Sequence, residues 1–114
     1  MIAQAKLRED PDVSIDPDRA LAVARQVLRT EAGAIASVEM RLGLAFVAAV
    51  EMLLRCRGRV VVSGIGKSGH VARKLAATLA STGTPAFFVH PAEAGHGDLG
   101  MIAAGDVVVM LSNS

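Results

Sequence analysis

Apolar and polar positions fall into two regimes along this chain, helical spacing in the first half and short continuous apolar runs in the second. In the first, Leu21, Ala24, Val27, Leu28, Ala32, Ile35 and Val38 recur as one stripe of a helix. Asp16 can cap that helix and Pro17 suits its first position. The pattern predicts a helix from Asp16 to about Leu42, weakened at Gly33. Gly43 breaks the period, and a second helix follows that should bury Leu44, Val47, Ala48, Met52 and Leu53. It should stop near Arg57 and Gly58, with Gly58 as its C-cap. The pair carries more apolar surface than one small sheet needs, so part of it is expected to pack against another subunit. Residues 1–15 mix charges with Pro11, lack a period, and read as a flexible tail.

The second half changes rhythm. Val60–Val62 is apolar and β-branched with no polar alternation, as expected of a strand covered on both faces. A glycine-rich turn leads into a helix over about 68–81, with Val71, Leu75, Ala76 and Leu79 inward and Arg73 and Lys74 solvated. Thr82-Gly83-Thr84-Pro85 turns the chain into a second strand, Ala86 to His90. Residues 91–100 form a polar connection with one helical turn at Ala92–Ala94. After the turn Ala104-Gly105-Asp106, Val107 to Leu111 is a third continuously apolar strand. The succession predicts an α/β fold, a doubly wound parallel sheet of flavodoxin/Rossmann-like type with right-handed crossovers, preceded by a helix pair. In such sheets ligands bind beyond the carboxyl ends of the strands. Ser112-Asn113-Ser114 should therefore open a second ligand loop, which makes the sheet incomplete, cut after its third strand, and the chain alone poorly stable.

Composition narrows the function classes. A length of 114 residues suits one small domain. The longest apolar region, Leu42 to Leu54, is short and contains Gly43 and Glu51, so it reads as a packed helix and not a membrane span. The first ten residues lack a signal-peptide core. A formal charge of +1 with 3% aromatics gives no footing for nucleic-acid or membrane partners. Cys56 stands alone, which excludes an internal disulfide and makes a reducing cytoplasm the expected compartment. A small core residue is the plainer reading of that cysteine.

The chemistry concentrates after the first strand. Gly64 and Gly66 allow a sharp turn and close approach of a ligand, and the helix that follows aims its free N–H groups at an anion. Lys67 adds a full charge there. A Walker A loop is excluded, because its first glycine would fall at Val61 inside the strand. Gly64-x-Gly66-x-x-Gly69 matches a dinucleotide fingerprint, but the next strand ends in His90 where that fingerprint wants a carboxylate, and Glu93 lies past a proline. A smaller sugar-phosphate site, with Lys67 and Ser68 facing one phosphorylated ligand, fits equally on chemistry alone.

Longer segments then resemble one family. Gly64-Ile65-Gly66-Lys67-Ser68-Gly69-His70, the run from Ala80 to Pro91, the run from Glu93 to Ile102, and Leu111-Ser112-Asn113-Ser114 resemble the D-arabinose-5-phosphate isomerases, whose catalytic unit is a sugar isomerase (SIS) domain. The resemblance runs in register from about Arg59 to the last residue, so residues 16–114 are expected to be the N-terminal part of such a domain. It implies interconversion of D-arabinose 5-phosphate and D-ribulose 5-phosphate for Kdo and lipopolysaccharide synthesis. It further implies a cytoplasmic homotetramer when full length, often with a CBS-domain pair, and no cofactor. Residue by residue, it implies that Lys67 and His96 are catalytic, and that Gly64, Gly66, Ser68, Ser112 and Ser114 contact substrate or its phosphate. His96 is implied as a contact of an inhibitory zinc. The family's glutamates and later histidine, among them its acid–base candidates, lie beyond Ser114, so the 114-residue chain alone is expected to be inactive.

Other readings stand beside these. His70 suits a backbone or subunit contact, His90 suits packing as well as pocket lining, and Asp98 and Glu93 suit fixing their loop through backbone amides. His90 and His96 together lack convincing metal-ligand spacing. A non-catalytic SIS module that senses a phosphosugar is the alternative of a different class, and an NAD-binding domain is the third.

Overall fold

The computed structural model describes residues 14–113 and divides into two units, one ending at Leu42 and one running from Gly43. Most of the expected tail, and Ser114, lie outside the described residues.

The first unit is one helix, α1 (Pro17–Glu39). Asp16 caps it as expected, its Oδ1 accepting the N–H of Asp18 at 3.0 Å and of Arg19 at 3.3 Å. Helix α1 runs through Gly33 without a break and ends three residues short of Leu42. Its apolar stripe is exposed along its whole length, Ile35 at 73%.

The second unit holds α2 (Leu44–Leu54), β1 (Val60–Gly64), α3 (Gly66–Ser81), β2 (Ala86–Val89), α4 (Pro91–Gly95), a 3-10 turn (Asp98–Met101) and β3 (Val107–Leu111). The strands form one wholly parallel sheet in the order β2-β1-β3, with Val60 in register with Ala86 on one side and Val107 on the other. The expected doubly wound architecture is what forms. The chain leaves β1 through α3 to reach β2, then crosses back past β1 to reach β3. The direction of winding therefore reverses between β1 and β3.

Central β1 is buried at every position, and Val60 and Val62 pack with Ala72 and Ala76 of α3 into the core. Burying each valine contributes about 1.5–3 kcal/mol. Strand β3, which has one neighbour, departs from the expectation of burial on both faces. Val109 and Leu111 face the core, while Val108 and Met110 remain 44% and 73% exposed.

Two expected burial patterns fail, each for its own reason. Helix α3 packs through small residues, with Gly69, Ala72 and Ala76 buried, so it lies too close to the sheet for Val71 to turn inward. A Cβ on Gly69 would stand 2.6 Å from the Gly64 carbonyl oxygen. Val71 is consequently exposed. Helix α2 is apolar nearly all round, and α3 already occupies the core face of the sheet. Of its five predicted core residues only Leu53 is even half-buried, joined by Cys56 beyond the helix end, while Leu44, Val47, Ala48 and Met52 are exposed.

Candidate functional site: a cavity between two strand ends

The site starts from the turn out of β1. Gly66 adopts φ +58° with open space where a Cβ would stand, so the backbone alone demands glycine there. Gly64 is constrained by crowding instead. A Cβ on it would meet the Leu111 carbonyl oxygen and the Ser68 backbone at 3.0 Å. Gly64 and Gly69 thus let strand, helix and β3 approach, and Gly66 reverses the chain between them. Helix α3 begins two residues earlier than the pattern suggests, which places Gly66 and Lys67 inside its first turn. No side chain caps it. The first N–H groups of a helix lack intrahelical acceptors and carry its positive dipole end.

Above this turn lies a cavity of about 550 Å³, walled by Gly64, Ile65, Lys67, Ser68, Pro91, Met110, Leu111, Ser112 and Asn113. A hollow of about 330 Å³ adjoins it between Val71 and Met110 and shares Lys67, Ser68 and Ser112. Both sit where β1 and β3 end, at the reversal of winding. Among the described residues, Lys67 is the only charged one on either wall, and no carboxylate faces it there. The wall is polar on the side of the two loops and apolar at Ile65, Pro91, Met110 and Leu111. Such a cavity can hold an anion with a short carbon chain.

The structure brings together Gly64, Lys67, Ser68 and Ser112. Gly66 shapes the turn without lining the wall, and Ser114 lies outside the described residues. His96 does not line either cavity. It is the exposed C-cap of α4, its backbone N–H donating to the Glu93 carbonyl at 2.9 Å. A zinc site needs three or four converging donors, and among the described residues no three His, Cys, Asp or Glu side chains converge. His96 by itself does not build one. His90 caps α4, its Nδ1 accepting the Ala92 N–H at 3.2 Å, and its ring meets Phe88 edge-on. No carboxylate therefore ends β2 to hold a dinucleotide's ribose. His70 is exposed in α3.

Asp98 was expected to fix its loop by bonding backbone amides, but among the described residues its side chain makes no hydrogen bond. Asp106 does that work. Its carboxylate accepts the Arg59 N–H at 2.7 Å and the Ala103 N–H at 2.8 Å, and its side chain is 2% exposed. The Ala103 and Arg59 amides hold it below the usual carboxylate range, with the Arg59 guanidinium adding to them. This cluster lies at the opposite end of the strands from the cavity. The Cys56 thiol is half-buried beside it and donates to the Gly105 carbonyl at 3.5 Å.

Pro91, Met110 and the other apolar wall residues were not singled out in the sequence. Their signal was positional, since each follows or ends a strand at the carboxyl edge.

The model of the SIS domain family matches residues 53–114, more than half the chain and every residue of the cavity wall. The chain belongs to the SIS domain family. The SIS match begins at Leu53 and leaves α1 and most of α2 outside it. Among similar proteins, arabinose 5-phosphate isomerase KdsD of Pseudomonas aeruginosa is 62% identical over 91 residues, covering 80% of this chain and 28% of that protein. Arabinose 5-phosphate isomerase GutQ of Escherichia coli K12 is 60% identical over 94 residues, 82% of this chain and 29% of that one. A solved structure of an Escherichia coli CFT073 protein, in complex with A5P, superposes with a TM-score of 0.80 at 46% identity over 88% of this chain and 53% of that chain. The chain thus spans about three-tenths of these curated relatives and about half of the solved one. Among the described residues, no single helix is long and apolar enough to cross a membrane.

Proposed function

We propose that the cavity between β1 and β3 binds a sugar phosphate, and that the whole product of this reading frame interconverts D-arabinose 5-phosphate and D-ribulose 5-phosphate. The observation that carries the reading is the convergence of Lys67, Ser68 and Ser112 on one cavity at the uncapped start of α3. The 60–62% identity to named arabinose 5-phosphate isomerases supports the choice of substrate.

In this reading the helix dipole, Lys67 and the two serines take the phosphate, and the apolar wall excludes water from the carbon chain. Binding remote from the reaction fixes the sugar for chemistry at its other end. Aldose–ketose exchange removes a proton beside a carbonyl and returns it to the neighbouring carbon through an enediol. That requires a base and donors to the developing oxyanion. No carboxylate or imidazole lines the cavity among the described residues, so the base comes from residues outside these 114, and His96, on the loop after β2, shuttles a proton or orients a hydroxyl. The 114-residue chain by itself binds and does not turn over. We assign the activity to the cytoplasm, to a homotetramer, and to Kdo and lipopolysaccharide synthesis, with residues 16–114 as the N-terminal part of the SIS domain.

Among the described residues the wall carries no carboxylate, which favours a second reading, a phosphosugar sensor on the same fold. One experiment separates the two. Titrating arabinose 5-phosphate into the 114-residue chain should shift the amides of Gly66–Gly69 and Ser112 saturably, while NAD should not. An isomerase assay on the whole product then decides: turnover supports the enzyme, binding without turnover the sensor, and response to NAD alone overturns both.

A further inference from the structure

The His96 side chain has no anchor of its own, although its backbone N–H is bonded to the Glu93 carbonyl. That side chain is exposed and makes no hydrogen bond among the described residues, and Gly97 beside it sits at φ +128°. Its place is set by what holds the backbone on either side. Upstream is α4, capped by His90. Downstream, the 3-10 turn Asp98–Met101 leads to the foot of β3.

Among the described residues, the side-chain hydrogen bonds that tie residues 97–106 to the segment leading into β1 come from Arg59, Asp106 and the Cys56 thiol, which reaches only Gly105. Arg59 Nη2 donates to the Met101 carbonyl at 2.6 Å, at the end of the 3-10 turn, and stands 3.5 Å from Asp106 Oδ2. The same guanidinium lies 4.6 Å over the Phe87 ring of β2. Asp106 secures the last part of the crossover through Ala103, but only Arg59 reaches back to the turn itself. A guanidinium can stack flat on a ring while donating in its own plane, whereas a lysine ammonium can serve one acceptor but not the stack. The turn is short and internally bonded, Gly100 N–H to Gly97 carbonyl at 3.1 Å, so fixing Met101 steadies Gly97 from downstream while its own N–H, 3.4 Å from the Ala94 carbonyl, ties it to α4 upstream.

We infer that Arg59 is a positioning residue for His96: its hydrogen bond to the Met101 carbonyl, made while stacked on Phe87, holds the 3-10 turn that sets the His96–Gly97 step. The inference rests on the reading of His96 as a site residue. Arg59 lies at the amino end of β1, away from the cavity wall, so it touches no substrate.

The test is a double-mutant cycle of Arg59→Met and His96→Gln in the whole product of the reading frame, with Arg59→Lys alongside. Arg59→Met should lower kcat about ten-fold or more with KM within about two-fold, as expected when a group is misplaced but the phosphate is still held. Arg59→Lys should fall between. In the His96→Gln background, Arg59→Met should cost no further kcat, because the residue it positions is gone. Amide exchange should quicken from Asp98 to Ile102 in both Arg59 variants and stay unchanged at Gly66–Ser68. Multiplicative kcat losses in the cycle, or unchanged exchange in the turn, would overturn the inference. Should Arg59→Met not fold, Arg59→Lys and Arg59→Gln carry the same cycle. If the unmodified protein shows no isomerase activity, the functional reading fails on its own. Exchange in the turn, compared in the His96→Gln and Arg59→Lys proteins, then decides whether Arg59 holds that backbone.

Discussion

The two ends of the same three strands are built to opposite specifications. At the amino end, Gly58, Arg59, Gly105 and Asp106 lock together. A Cβ on Gly58 would fall 2.3 Å from Asp106 Oδ1, and the Asp106 side chain is 2% exposed with both oxygens engaged. At the carboxyl end, Lys67 is exposed, α3 is uncapped, and about 550 Å³ stands open. One end spends its polar groups on itself and so contributes to stability. The other leaves the Lys67 ammonium exposed and the first N–H groups of α3 without a side-chain cap, as suits a site for an anion. Substitutions at the first should change folding and leave binding alone, and substitutions at the second should do the reverse.

The change that should break the contrast most severely lies where the two meet. Gly69→Ala drives a Cβ into the Gly64 carbonyl, a backbone atom that cannot rotate away. Helix α3 must then lift from β1, at a cost of about 3 kcal/mol. Both the denaturant midpoint and sugar-phosphate affinity should fall, and an unchanged midpoint would show that the strand–helix contact is slack. Lys67→Met comes next and should act at one end alone. Losing a charge-assisted contact costs about 1.5–3 kcal/mol, or ten- to a hundred-fold in affinity for arabinose 5-phosphate, with the midpoint unmoved. The division of its kinetic effect sharpens the assignment. A rise in KM places the ammonium on the phosphate, and a fall in kcat places it on the oxyanion. Gly66→Ala is milder. With open space around the new Cβ, only the positive φ opposes it, at about 1 kcal/mol. It should weaken binding more than its modest loss of midpoint suggests, because the turn presents the N–H groups.

These contrasts also mark what the sequence could say. The strands β1 and β3 were legible because continuous β-branched runs have one common use, and the Gly64–Gly69 loop because its residue types serve a backbone geometry. Periodicity failed where size and spacing compete. It assigned Val71 to the core because valine is apolar, whereas Ala72 goes in because only small residues let α3 lie against Gly64. It could not orient α2, whose apolar residues occupy every face. The site was legible as residue types but not as a constellation. Lys67, Ser68 and Ser112 meet because β1 and β3 are neighbours, a fact of strand order. His90 packs against Phe88 as one of its readings had it, but its capping role and the amide gathering of Asp106 were assigned to neither, since both depend on local dihedrals that composition does not encode.

The smallest effect expected is a dependence on acid, and it separates the two ends without altering the backbone. Asp106 is held below the usual carboxylate range by the Ala103 and Arg59 amides and by the Arg59 guanidinium. Its unfolded counterpart titrates near about 3.9. A depressed folded value means the contribution is complete above the unfolded value and is lost as pH falls through the folded one. Stability attributable to this clamp should therefore be flat from neutral pH down to about 4 and decline below it. Asp106→Asn retains a carbonyl acceptor but removes the titration. It should lower the midpoint at pH 7 and flatten the decline below pH 4, leaving sugar-phosphate affinity at pH 7 within about two-fold. Lys67 bears on the same measurement from the other side. Because Lys67 takes no part in the contacts that depress Asp106, Lys67→Met should leave the acid profile of stability where it was. If Asp106→Asn instead weakened binding as strongly as Lys67→Met, the two ends of the sheet would be coupled through β1, and the division of labour between them would be wrong.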